Sequence, residues 1–456
     1  MSEKLMKKSR ILKVALLGTV LVAMLSMWGC GSKGYDAPAA PQSAAALETA
    51  SKNALATPGD IKAWIDSGLI NNNVAKSVSK AVASSVSSKA QKLVILDVTD
   101  PANYLAGHIP GAQLMNTTEI NQTRLEGVAP MTTQTVDGTI IDPVIKRSGI
   151  DANTTIVFTT NKGGTFLNVA RAYYTFRYWG FPKERLKILD GGDDAWVAAG
   201  NTLTSEAPVI TPSTYSVKNN KNNFNLRYSI GEMIALVDNI NLGTVSTDAT
   251  GVAILDVRGG STPGYIANAK IDDYAQYSNV IAGKTATYKD NDALTKRFAT
   301  FGVTAQNKMT YLYCASGTRA ASTFFILDGI LGWPVTLYDG SWGQWSNYYL
   351  NTRPDLIVTN ADGTTTTTKY TANNLSSASP WRVDINTPGT ALPRTAGTLT
   401  TNGTAVMALD PVASAMYSIT DPRANQMKIA DLLYITPVVT TTTTTTTSAG
   451  SAPGGC

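Results

Sequence analysis

The stretch Met309-Thr310-Tyr311-Leu312-Tyr313-Cys314-Ala315-Ser316-Gly317-Thr318-Arg319-Ala320-Ala321 decides how the rest of the chain is read. Met309 to Leu312 reads as a short buried strand. Cys314 stands just past it, followed by the compact loop Ala315-Ser316-Gly317-Thr318-Arg319. Ala320 to Leu331 (AASTFFILDGIL) is an apolar run of helical length. A cysteine in this place meets the unpaired N–H groups and the partial positive charge of a helix N-terminus. Both favour the thiolate, the nucleophilic form of cysteine. Arg319 adds a fixed positive charge within reach of the same loop. Gly317 permits a positive φ, which lets successive N–H groups point inward. Ser316 and Thr318 add hydroxyl donors.

Composition narrows the chemistry. The chain has 456 residues, enough for two or three domains, and its net charge is only +5. Part of that excess is the basic run Lys4 to Lys13, so no nucleic-acid surface is expected. The three cysteines, Cys30, Cys314 and Cys456, are scattered and form no disulfide framework. His108 is the only histidine. Multi-His and Cys-rich metal sites are excluded, there is no Cys-x-x-Cys-His haem motif, and no metal or cofactor is expected. His108 itself reads as a structural residue in a turn. Activation of Cys314 therefore falls to backbone dipoles and cations.

The N-terminus has the order of an export signal: a basic start, then the apolar run Val14 to Trp28, then Gly29-Cys30. Residues 1–29 are expected to be a signal peptide. Gly31 to Thr57 is rich in Ala, Ser and Pro, and residues 30–57 are expected to form a flexible tether.

The pattern around Cys314 has an earlier partner. Leu93 to Val98 (LVILDV) is a buried-type strand, as is Ile254-Leu255-Asp256-Val257. Thr155 to Thr159 is a strand, Val169 to Tyr178 a helix and Leu186 to Leu189 a strand. Asp190-Gly191-Gly192 with Trp196 matches Asp339-Gly340-Ser341-Trp342. Two units of one pattern follow, at 58–208 and 225–352, joined by a polar linker at 209–224. Strand–helix alternation makes each an α/β domain, an open parallel sheet with helices on both faces. The loop of the first unit, Thr160-Asn161-Lys162-Gly163-Gly164, has no cysteine and is expected to be inert. Residues 353–456 form a Thr-rich C-terminal extension with a disordered tail. Within it, Val406 to Leu409 and Ile429 to Ile435 are apolar enough to pack.

Three signatures resemble the rhodanese sulfurtransferases. Cys314-Ala315-Ser316-Gly317-Thr318-Arg319-Ala320 resembles the active-site loop of that family. Tyr338-Asp339-Gly340-Ser341-Trp342 resembles its Asp-Gly signature, and Leu255-Asp256-Val257-Arg258 its first strand. In the first unit Gly107-His108-Ile109-Pro110-Gly111-Ala112 matches a further family segment, which the second unit degrades to Gly264-Tyr265-Ile266-Ala267-Asn268-Ala269. The resemblance implies a tandem rhodanese with a non-catalytic first domain. It implies Cys314 as the nucleophile that carries a persulfide. Ala315, Ser316, Gly317, Thr318, Arg319, Asp256 and Arg258 are then the substrate-binding residues. The partners implied are a small sulfur-containing anion and a thiol acceptor. The Cys-x4-Arg spacing is one residue shorter than the Cys-x5-Arg cradle of related phosphatases and arsenate reductases, which favours sulfur over phosphate chemistry. Leu25-Ser26-Met27-Trp28-Gly29-Cys30 resembles a bacterial lipobox. That implies lipid attachment at Cys30 and, with Gly31-Ser32 following, the outer membrane. The alternative from another class is an outer-membrane scaffold or sulfur-carrier lipoprotein with a weak or relict site.

Overall fold

The computed structural model describes residues 54–71, 92–126, 129–241, 243–259, 265–350, 356–359, 364–368, 382–383 and 425–436. The expected signal peptide, Cys30, Val406 to Leu409, Cys456 and most of the extension lie outside these residues. Among the described residues no helix is long and apolar enough to cross a membrane.

The first unit begins with β1 (Leu55–Ala56) and α1 (Pro58–Asp66), then β2 (Lys92–Thr99), α2 (Pro101–Ala106) and β3 (Gln113–Asn116). A hairpin follows, β4 (Gln122–Glu126) and β5 (Ala129–Gln134). After it come α3 (Gly138–Arg147), β6 (Thr154–Thr159), α4 (Phe166–Tyr178), β7 (Leu186–Leu189) and α5 (Gly192–Ala198). The sheet order is β1-β7-β6-β2-β3 and every pairing is parallel. All eight residues of β2 are buried, as expected of a central parallel strand covered on both faces.

The second unit runs β8 (Arg227–Tyr228), α6 (Ile230–Asn241), β9 (Val252–Asp256), β10 (Tyr265–Ile266) and β11 (Ala269–Ile271). It continues through β12 (Ser278–Asn279), β13 (Thr287–Tyr288), α7 (Asn291–Ala299), β14 (Met309–Tyr313), α8 (Thr318–Phe325), β15 (Val335–Tyr338) and α9 (Ser341–Leu350). Its sheet order is β8-β15-β14-β9-β11, again parallel. Position for position this is the order of the first sheet. The repeat read from the sequence is thus a repeat of topology.

The registers fix which residues correspond. Asp97 lies beside Thr159, and Asp256 beside Tyr313. Thr160 therefore stands where the second unit has Cys314. The Asp-Gly turns also superimpose, for Gly192 and Ser341 share a φ of 55°. Asp190 corresponds to Asp339, and Asp194 to Gly343.

One hydrophobic core spans both units. The helices that follow the two loops, α4 and α8, pack on each other. The Tyr173 and Phe325 rings meet edge-on at 4.7 Å, and those of Tyr174 and Phe324 at 5.0 Å. Beside them Arg177 Nε pairs with Asp328 at 2.7 Å, and the Tyr173 hydroxyl donates to the same carboxylate. Burial alone would raise the Asp328 carboxyl, but Arg177 overrides it and holds the group below the usual carboxylate range.

Three expectations are corrected. Leu55–Ala56, assigned to the tether, is a strand of the first sheet, and Thr57 caps α1 in a capping box with Asp60. The linker is packed where Val217 is buried and donates its N–H to Asp142 at 2.8 Å. The helical run ending at Leu331 is α-helical only to Phe325. A π-helical turn, Ile326–Leu331, then carries Asp328 to Arg177 and ends at Gly332 with φ 69°. The segment of the extension expected to pack, Ile429 to Ile435, lies in a helix, α10 (Gln426–Ile435), docked between the units.

Candidate active site

β14 delivers Cys314 to the carboxyl edge of the second sheet, at its centre. The residue is 1% exposed. The chain then turns through Gly317, whose φ is 96°, into α8. No side chain caps this helix, in contrast to α2, α7 and α1, which Asp100, Asp290 and Thr57 cap. The Gly317 N–H donates to Cys314 Sγ at 3.1 Å. The first-turn amides of Thr318 and Arg319 have no intrahelical acceptor. One N–H thus meets the sulfur at the positive end of a helix.

The Asp-Gly turn grips the loop backbone from one side. The Cys314 N–H donates to Ser341 Oγ at 3.2 Å. The N–H groups of Trp342 and Gly343 donate to the carbonyls of Cys314 and Ala315, both at 2.9 Å. Asp339 sits behind Gly317, fully buried. A Cβ on Gly317 would lie 2.5 Å from Asp339 Oδ1.

The first unit grips the loop from the other side. Arg171 of α4 donates to Asp339 through Nη1 at 2.6 Å and Nη2 at 3.2 Å. The Thr135 N–H donates to Asp339 Oδ2 at 2.7 Å, and Gln134 Nε2 to the Asp339 carbonyl at 3.3 Å. The Thr133 hydroxyl donates to the Ser316 carbonyl. The β4–β5 hairpin and α4 are therefore a wall of the second unit's site. The sequence shows Asp339 only as part of the Asp-Gly pattern and Arg171 only as a position within a predicted helix, and it does not point to Thr133, Gln134 or Thr135. The signal it had was the Asp-Gly signature itself.

The structure separates the candidate substrate residues into two groups. Ala315, Ser316, Thr318 and Arg319 are half-buried on the loop with Cys314. The Arg319 guanidinium lies 5.6 Å from the Tyr274 ring centroid, and no carboxylate of the described residues pairs with it. Asp256 and Arg258 are buried and bonded to each other, with Arg258 Nη2 2.6 Å from Asp256. The Arg258 guanidinium lies 4.6 Å over the Trp342 ring. These two brace the turn that grips the loop. His108 is buried, stacked on Tyr104 at 3.7 Å, with its ring nitrogens facing the Tyr104 and Glu206 carbonyls.

The first unit's loop is built alike and filled. Gly163, which corresponds to Gly317, has φ 67°. Its N–H donates to Asp194 Oδ2 at 2.6 Å, and that oxygen also accepts from the Thr285 N–H at 2.9 Å. A carboxylate of the chain itself thus occupies this cradle. In the second unit the matching position is Gly343, which has no side chain to insert. Asp97, the counterpart of Asp256, has Thr99 where Asp256 has Arg258. Its carboxyl oxygens have no hydrogen-bond partner, and burial followed by repulsion from Asp193 raises it well above the carboxylate range.

Two parallel sheets of like order are present, and the second carries a cysteine in a helix-opening loop. A family model described as a rhodanese-like domain matches residues 82–199. The sulfur carrier protein TtuD of Thermus thermophilus is 29% identical over 267 residues, covering 56% of this chain and 88% of that protein. The thiosulfate sulfurtransferase of Corynebacterium glutamicum is 27% identical, over 54% of this chain and 80% of that protein. Among solved structures, the anaerobic ergothioneine biosynthesis enzyme of Chlorobium limicola aligns with a TM-score of 0.50 at 18% identity. The alignment covers 66% of this chain and 70% of that one, and it speaks to the fold alone. Residues 82–199 thus match the rhodanese-like domain, and the resemblance to these sulfur-handling relatives covers more of the chain than that domain.

Proposed function

We propose that this protein is a sulfurtransferase that moves a sulfane sulfur from thiosulfate or a similar anion to a thiophilic acceptor through Cys314. The observation that carries the reading is the open cradle. The Gly317 N–H points at Cys314 Sγ from 3.1 Å, and among the described residues no carboxylate accepts from it as Asp194 accepts from Gly163. The Cys314 thiolate attacks the outer sulfur of thiosulfate. A new S–S bond forms, the old one breaks, and sulfite leaves with the bonding pair. Cys314 then bears a persulfide anion, and the loop amides and helix N-terminus stabilise its charge. Arg319, unpaired by any described carboxylate, balances the incoming anion. An acceptor thiolate, or cyanide, attacks the outer sulfur and returns Cys314 as thiolate. Asp256 and Arg258 support this by fixing the Asp-Gly turn.

The names of the relatives, a sulfur carrier protein and a thiosulfate sulfurtransferase, support the same chemistry. The proposal extends to location. Cys30 carries the lipid, and the domains hang from the outer membrane by the tether.

The test is intact-protein mass spectrometry after thiosulfate treatment. One sulfur atom is expected on the peptide holding Cys314, removable by cyanide and absent in Cys314→Ser. A wild type that takes no sulfur from thiosulfate, mercaptopyruvate or polysulfide overturns the assignment. A second reading, a sulfur carrier or scaffold in an outer-membrane assembly, is favoured by the near-complete burial of Cys314. Single loading without turnover selects it.

A further inference from the structure

The hairpin that walls the site is fastened on its far side by α10, which neither repeat contains. Asp431 of α10 is buried. Its carboxylate accepts from Arg124 through Nη2 at 2.7 Å and Nη1 at 3.0 Å, and from the Tyr178 hydroxyl at 2.6 Å. Arg124 also donates to the Thr135 carbonyl at 3.2 Å and the Met427 carbonyl at 3.3 Å. The Thr135 N–H in turn holds Asp339. The next inward residue of β4, Glu126, takes both arms of Arg227 at 2.9 Å, and Arg227 Nη2 meets Met427 Sδ at 3.0 Å. Lys428 pairs with Glu232 of α6 at 2.6 Å. α10 thus straddles β4 of the first unit and β8 and α6 of the second.

We infer that Asp431 is a positioning residue for the Cys314 loop. It fixes the Arg124 fork, the fork fixes the Thr135 carbonyl, and the strand from Thr133 to Thr135 is thereby pressed onto Ser316 and Asp339. The extension is then part of the sulfur-handling site. The inference rests on Cys314 as the reacting thiol. Stability alone does not account for the arrangement, since an apolar pair of like volume commonly replaces a buried ion pair at no loss. What an apolar pair lacks is the directed hydrogen bond to Thr135.

The test compares the full-length wild type with Asp431→Asn and with the double variant Arg124→Met/Asp431→Leu. The latter refills the space with apolar side chains. The readouts are kcat and KM for thiosulfate with cyanide, the rate of Cys314 alkylation by iodoacetamide, and the melting temperature. Loosening the wall is expected to lower kcat about tenfold or more while KM stays within about twofold. The alkylation rate is expected to change by a similar factor. Both effects persist in the double variant even where its melting temperature equals that of the wild type. A double variant that melts no lower and keeps wild-type kcat and alkylation overturns the inference, whether or not Asp431→Asn folds. If the wild type transfers no sulfur at all, the proposed reaction falls, and the alkylation comparison still decides the role of Asp431.

Discussion

Gly317→Ala places one methyl group at the tightest point of the site. The new Cβ would stand 2.5 Å from Asp339 Oδ1 and 2.8 Å from its carbonyl oxygen, where ordinary contact begins at 3.4 Å. About 0.9 Å must be found, the difference between 3.4 and 2.5 Å. Asp339 cannot yield it, because Arg171 holds Oδ1 at 2.6 Å and the Thr135 N–H holds Oδ2 at 2.7 Å. The loop moves instead, and carries the Gly317 N–H from 3.1 Å toward 4 Å from Sγ, beyond useful hydrogen bonding. A φ of 96° adds roughly 1–2 kcal/mol of strain for a residue with a Cβ. A misplacement of about 1 Å at a reacting centre costs on the order of 100-fold in rate. The assay is the rate of sulfur loading onto Cys314 by mass spectrometry, with thermal unfolding followed in parallel. Gly163→Ala is the control. It carries the same kind of φ strain, and its Cβ meets only the Gly283 backbone, at 3.3 Å. Gly163→Ala is expected to load sulfur normally. If Gly317→Ala folds and loads sulfur at the wild-type rate, the cradle argument is refuted.

The remaining predictions concern pH, the first loop and the anchor. Burial raises Asp193 to about 7, so between pH 4 and 7 the folded state binds more protons than the unfolded one. Stability therefore falls as pH rises through that window, by up to about 4 kcal/mol for this group. Asp193→Asn should flatten that fall in urea unfolding midpoints taken at several pH values, and an unchanged profile would exclude the effect. Lys162→Ala, exposed on the filled cradle, should leave sulfur loading within about twofold of wild type, because it touches no reacting atom. Cys30→Ser should abolish metabolic palmitate labelling and release the protein from membranes; retained label would count against lipid attachment.

The strands and the reactive loop were legible because each is local. Buried parallel strands read as apolar runs, and Cys314 with Gly317 lies within one short window. The walls of the site were not legible. Thr133 and Thr135 are ordinary hydroxyl residues in a hairpin, and their meaning comes from contacts across roughly 200 positions. α10 was legible as a segment able to pack, Ile429 to Ile435, but not in the face it buries. Its buried face carries Met427 and Asp431, while Ile429, Leu432 and Leu433 are 41%, 51% and 68% exposed. The usual inference from apolar spacing to a buried face therefore points the wrong way. Asp256 and Arg258 group with the substrate residues through the resemblance of Leu255 to Arg258 to a family strand, and a bracing role is the other reading of them. In the structure each neutralises the other.

The carboxylate in the first loop has a consequence for how many anions the two halves can hold. Asp194 is a ligand that never leaves. Attached to the same chain, it competes at an effective concentration on the order of millimolar or above, which a small anion in the surroundings must exceed to enter. The duplicated fold thus behaves as two receptors of which one is permanently self-saturated. A titration with a non-reactive anion should count one site per chain. The side chain that fills the first loop stands at one matching position, aspartate at 194 against glycine at 343.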